Sequence, residues 1–177
     1  MASDGLSRRA FVAAGGLALA GPLVAALVRP ARAAALPEIR MVEARRGAHV
    51  TFDPVGLLVE PGTTIRWLLE SGVHTATAYH PANDRPLRIP EGAEPWDSGY
   101  LLDPGATFEV TLEVEGVYDF FCVPHEAAGM VGRIVVGRPA GPATEPAGDE
   151  LPAAARAAFP PIDRIMARGQ VRADDMP

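Results

Sequence analysis

The chain has no lysine: its 16 basic residues are all arginine, set against 22 acidic ones for a net charge of −6. A surface of that sign excludes nucleic acid as a partner, because phosphate binding needs a basic face. Cysteine is nearly as scarce. The single thiol, Cys122, rules out an intramolecular disulfide and any metal site built on three or four cysteines. Aromatic residues make up 6% and only one apolar run is long, which excludes a multi-span membrane protein. With 48% hydrophobic residues, the chain is not disordered either. It carries no paired acid/base carboxylates, nucleophile elbow or triad signature, so nothing marks it as an enzyme. Its 177 residues make one domain with appendages, and 18 Gly with 18 Pro predict turns and linkers rather than long helices.

The long apolar run comes first. Ser7-Arg8-Arg9-Ala10-Phe11-Val12 opens it, Ala, Gly, Leu and Val carry it to Val28, and Ala31-Arg32-Ala33-Ala34-Ala35 closes it. A charged region, an apolar region and small residues in that order predict an export signal over 1–35, cleaved after Ala33 or Ala35. SRRAFV resembles the twin-arginine motif of proteins exported already folded, which implies a periplasmic or other extracytoplasmic location. The alternative is an uncleaved anchor, because residues 10–28 number 19 and just suffice to span a membrane. Apart from that signal, no membrane contact is expected. Losing residues 1–33 removes four Arg and one Asp and moves the charge from −6 to −9.

Residues 36–137 read as short strands. Thr107–Val114 alternates strictly, with Phe108, Val110, Leu112 and Val114 on one face and Thr or Glu on the other. Thr63–Leu69 places Ile65, Trp67 and Leu69 on one side after the turn Glu60-Pro61-Gly62. Further strands are expected at Glu38–Ala44, His49–Phe52, Leu57–Val59, Val117–Cys122 and Val131–Val136. Seven strands in about 100 residues predict an all-β, two-sheet sandwich. Residues 81–99, broken by four prolines, read as a long irregular loop. Residues 138–177 form a Pro/Ala-rich extension: a linker to 152, then short helices at Ala153–Phe159 and Ile162–Arg168. Ile162, Ile165 and Met166 share a face of the second helix and either pack on the sandwich or dock elsewhere.

The chemistry concentrates in Phe120-Phe-Cys-Val-Pro-His-Glu-Ala-Ala-Gly-Met-Val-Gly132, where Cys122, His125 and Met130 are spaced C-x₂-H-x₄-M. A thiol, an imidazole and a thioether on one loop between two strands suit a soft metal ion. A type 1 copper site needs these three plus a second imidazole, in a trigonal His₂Cys set with a weak axial Met. His74, just after the Thr63–Leu69 strand, is placed to supply it. His80 follows the same strand and is its rival, whereas His49 lies in a strand far from the motif.

FFCVPHEAAGMVGRIVV resembles the ligand loop of the plastocyanin-like branch of the cupredoxins, the blue copper proteins, and the 48-residue spacing from His74 to Cys122 also matches. The similarity covers about residues 38–137. It implies a Greek-key β-sandwich of eight strands holding one type 1 copper ion between His74, Cys122, His125 and Met130, with His125 the exposed ligand ringed by an apolar patch. It also implies single-electron transfer between protein partners, with no catalysis. Thr75 stands where the family often has Asn, so the hydrogen bond tying the two ligand loops depends on what Thr75 reaches. The 81–99 insertion and the long C-terminal extension are unlike the photosynthetic members, and a general bacterial or archaeal carrier fits better.

On physical grounds, Cys122 must lose its proton to bind the metal. Pro124 has no N–H to offer its sulfur, so the Thr75 amide is the expected donor. Phe120, Phe121, Val123 and Val131 are expected to keep water off the metal. A copper delivery or storage protein is the main functional alternative; a small copper enzyme and zinc occupancy are the others. Residues 36–137 hold 15 acids and seven Arg, which favours docking to a basic partner at a salt-sensitive rate.

Overall fold

The computed structural model describes residues 35–43 and 49–176. The export signal expected over 1–35 therefore lies outside the described residues, apart from Ala35.

Alternating apolar residues become strands where one face can be buried. Sheet one runs β2 (Val50–Asp53), β1 (Glu38–Glu43), β4 (Thr63–Leu69) and β6 (Thr107–Leu112). Sheet two runs β5 (Thr77–Ala78), β7 (Gly116–Phe121), β8 (Val131–Val136), β3 (Gly56–Val59) and β9 (Gln170–Val171). Both are mixed: β1 pairs parallel with β4, and β3 parallel with β8. The all-β sandwich is as expected. Two-residue β5 and β9 were not legible in the sequence, because so short a run carries no period.

Between the sheets, Ile65, Trp67 and Leu69 of β4 meet Tyr118 and Phe120 of β7 and Ile134 and Val136 of β8. Trp67 lies 5.5 Å from the Phe120 ring, and Phe120 lies 4.7 Å from Phe52. Gly132 permits this packing, since a Cβ there would fall 2.3 Å from the tip of the Phe120 ring. The 81–99 loop is part of the core rather than an excursion from it. Ile89 and Trp96 are buried, Trp96 sits 5.7 Å from Trp67, and the Asn83 amide donates to the carbonyls of Ala78 and Trp96.

Strands β7 and β8 are buried on both faces. Their outer face is covered by the C-terminal extension, which joins the same compact unit, 35–177. Leu151 and Ala155, the latter in helix α1 (Ala153–Ala158), pack against Tyr79, Phe121 and Val131. Ile165 of helix α2 (Ile162–Arg168) packs with Val55, Val117 and Val135, and β9 pairs with β3. Ile162 joins that cluster, but Met166 is 40% exposed and leaves the expected stripe. Buried Asp119 accepts from Arg88 Nε at 2.8 Å and Arg133 Nε at 2.7 Å. Those arginines in turn donate to the carbonyls of Glu145 and Pro160 and lie under the Phe159 ring. A lone buried Asp would be prohibitively costly; two guanidiniums make it tolerable and clamp the extension down.

Candidate metal centre

The β4–β5 connection and the β7–β8 connection meet at one end of the sandwich. The first is pinned by a bridge between His74 and Leu101, with amide–carbonyl bonds of 3.3 and 2.9 Å. The second leaves β7 at Cys122, turns through a 3-10 segment over Val123–Ala128, and stops at Gly129, whose φ of 86° suits glycine. The amide of Met130 then donates to the His125 carbonyl at 3.1 Å, and the amide of Cys122 to the Met130 carbonyl at 3.0 Å. The loop is thus closed on itself by its own backbone.

This brings three of the expected residues together. His74 Nδ1 and His125 Nδ1 are 3.1 Å apart, and Cys122 Sγ lies 3.5 Å from the first and 3.4 Å from the second. So even a triangle leaves room at its centre for one ion at ordinary metal–nitrogen and metal–sulfur lengths of ~2.0–2.3 Å. Two imidazoles and one thiolate are the donor chemistry of a type 1 copper site, and the fit is good. Met130 is buried at the end of the same loop, in the same core cluster as Cys122. His80 is not part of the group; its Nδ1 accepts from the Ala82 amide, capping a 3-10 turn. His49 is exposed and also stands outside it.

The Thr75 amide donates to Cys122 Sγ at 3.4 Å, as expected, and the Thr75 hydroxyl accepts from the Val123 amide at 2.9 Å. Thr75 therefore ties the ligand loops together, and Thr77 and Asp97 extend the chain of hydroxyl bonds behind it. Burial pushes the Cys122 thiol up to about 11, partly offset by the Thr75 and His125 amides. Burial, with the neighbouring His125, pulls His74 down from 6.5 to about 4, keeping its imidazole neutral and able to ligate. Phe120, Phe121 and Val131 are buried around the loop, but Val123 is 40% exposed and stands outside that buried set. A 3-10 turn carries it outward.

Two features escaped the sequence reading. Glu126, buried, accepts from Tyr79 Oη at 2.9 Å and from Arg85 Nη2 at 2.7 Å, anchoring the ligand loop to the 79–85 segment. Asp119 stands in an otherwise apolar strand, which flags it as paired, but its partners are 14 and 31 residues away.

Residues 40–137 match the family of copper binding proteins described as plastocyanin/azurin. The chain belongs to that family. Copper is its cofactor, and this cupredoxin is 36% identical over 94 residues to the chloroplastic plastocyanin of Hordeum vulgare, covering 51% of this chain and 57% of that one. It is 31% identical over 101 residues to the halocyanin of Natronomonas pharaonis, 56% of each chain. It thus spans little more than half the length of these curated relatives. The solved structure of a pseudoazurin from Sinorhizobium meliloti superposes with a TM-score of 0.54 at 29% identity, over 73% of this cupredoxin and 92% of that chain.

Proposed function

We propose that the chain is a single-electron carrier outside the cytoplasmic membrane, in which His74, Cys122 and His125, with Met130 at the end of the same loop, would hold the copper ion. The observation that carries this reading is the preassembled donor triangle, 3.1–3.5 Å on each side. When bound, copper supplies a one-electron couple between Cu(II) and Cu(I).

The chain's residues do the rest. Ligand loops already closed by hydrogen bonds need little rearrangement when the metal charge changes, so the cost of each transfer is small. The Thr75 and His125 amides stabilise negative charge on Cys122 sulfur, while Pro124, without an N–H, adds no donor of its own. His74, Cys122 and Met130 are sealed from water, whereas His125 is only half-buried. Electrons leave by that imidazole edge. Pro124, Ala127 and Ala128 are exposed beside it and small enough to let a partner approach, and Val73 and Val123 add exposed apolar surface on the ligand loops. The partner carries a basic surface, because residues 36–137 hold 15 acids against seven Arg.

Visible absorption and EPR of the copper-loaded protein test the reading. An intense blue band that disappears in Cys122→Ser, and that persists in Met130→Leu with a raised potential, supports the roles of Cys122 and Met130. A parent that binds copper without that band is a delivery or storage protein. For the location, retention of an Arg8→Lys/Arg9→Lys precursor in the cytoplasm supports twin-arginine export, and normal export of that variant refutes it.

A further inference from the structure

Behind His74, on the side away from Cys122, the structure places a carboxylate. The far ring nitrogen, His74 Nε2, is fully buried and has no side-chain hydrogen-bond partner among the described residues, with the Ser71 backbone also acting on the ring. Next to it runs the end of β1. The Ser71 hydroxyl locks that end in place twice over, accepting from the Glu43 amide at 2.9 Å and donating to the Glu43 carbonyl at 3.1 Å. Between strand and imidazole stands Gly72, with a φ of 84°. A Cβ on Gly72 would fall 2.5 Å from Glu43 Oε2 and 2.9 Å from His74 Nε2. Carboxylate and ring nitrogen thus flank a single space no larger than a methyl group, kept open because residue 72 has no side chain.

We infer that Glu43 is a positioning and tuning residue for the metal centre, its carboxylate acting on the bound ion through the His74 imidazole. The inference rests on the ligand role proposed for His74. A metal-bound imidazole carries its remaining proton on the far nitrogen, and a carboxylate facing that N–H orients the ring and makes it a stronger donor. Oxidised copper bears one more positive charge than reduced copper. A nearby negative charge therefore stabilises Cu(II) over Cu(I) and lowers the potential. The half-buried setting screens this less than at the open surface. Consistently, Glu43 is the largest influence opposing the depression of the His74 pKa. Glu43 does not bond to copper in this scheme; it acts one residue removed.

The test compares Glu43→Gln with Glu60→Gln. Glu60 is an exposed carboxylate in the turn before β4, at the opposite end of the strand that leads to His74. Both substitutions remove one negative charge, so the bulk charge effect is common to them. In copper-loaded protein, Glu43→Gln is expected to raise the potential severalfold more than Glu60→Gln, with the blue band retained. In metal-free protein, the His74 ring nitrogen resonances are expected to move in Glu43→Gln and to stay in Glu60→Gln, which requires no electron-transfer assay. Equal potential shifts in the two variants, or unmoved His74 resonances, overturn the role of Glu43 while leaving the copper site standing. A parent without the blue band overturns the site itself.

Discussion

Buried Thr75 bonds twice to the start of the ligand loop: its amide donates to Cys122 Sγ at 3.4 Å and its hydroxyl accepts from the Val123 amide at 2.9 Å. One residue thus performs two separable tasks. The backbone bond survives any substitution that keeps the amide N–H, whereas the side-chain bond needs the hydroxyl. Thr75→Val removes only the hydroxyl and leaves the Val123 amide without its partner. A loss of about 1–3 kcal/mol in unfolding free energy is expected for the metal-free protein, measured by denaturant titration. Unchanged stability would show that the hydroxyl does not tie the loops.

The raised Cys122 pKa, about 11, has a consequence for metal binding. Below that pH the metal-free thiol holds its proton, and the bound thiolate does not. Uptake of each ion must therefore release roughly one proton from sulfur. Between about pH 7 and 9, affinity should rise about tenfold per pH unit, because fewer protons compete as pH increases. Proton release in weakly buffered solution, compared between parent and Cys122→Ser, measures this directly. Release that persists in the Ser variant would assign the proton elsewhere.

Ile165 tests whether the C-terminal extension is structural. Its side chain is fully buried against Val55, Val117 and Val135, and it fills the space over Gly56, where a Cβ would lie 2.8 Å from Ile165 Cγ1. Ile165→Ala should cost about 2–5 kcal/mol of unfolding free energy with the copper spectrum intact. A change near zero would mean that the extension contributes nothing to the stability of the sandwich.

Ala128 probes where the electron crosses. It is exposed on the ligand loop three residues after His125 and makes no hydrogen bond through its side chain. Ala128→Glu should leave the visible spectrum intact and lower the potential only slightly, as an exposed added charge does, while markedly slowing electron exchange, because bulk and charge hold a partner away from the imidazole edge. Equal exchange rates in variant and parent would move the crossing point off this loop.

Much of this molecule is written locally. Strict alternation in Thr63–Leu69 and Thr107–Leu112 is enough to specify strands with one buried face, since a one-residue slip would turn every apolar side chain to water. The C-x₂-H-x₄-M order likewise holds Cys122, His125 and Met130 on one short loop whose backbone closes on itself, so their proximity needs little from the rest of the chain. What joins distant segments was not written that way. That His74 rather than His80 faces Cys122 follows from the bridge to Leu101 and from the cap His80 makes on its own turn. The burial of Trp96, the clamp of Arg88 and Arg133 on Asp119, and the meeting of Glu43 with His74 across Gly72 all depend on which strands became neighbours. Periodicity reports which face of a strand is buried, not what is buried against it. Those partners exist only once two sheets have packed and excluded water between them.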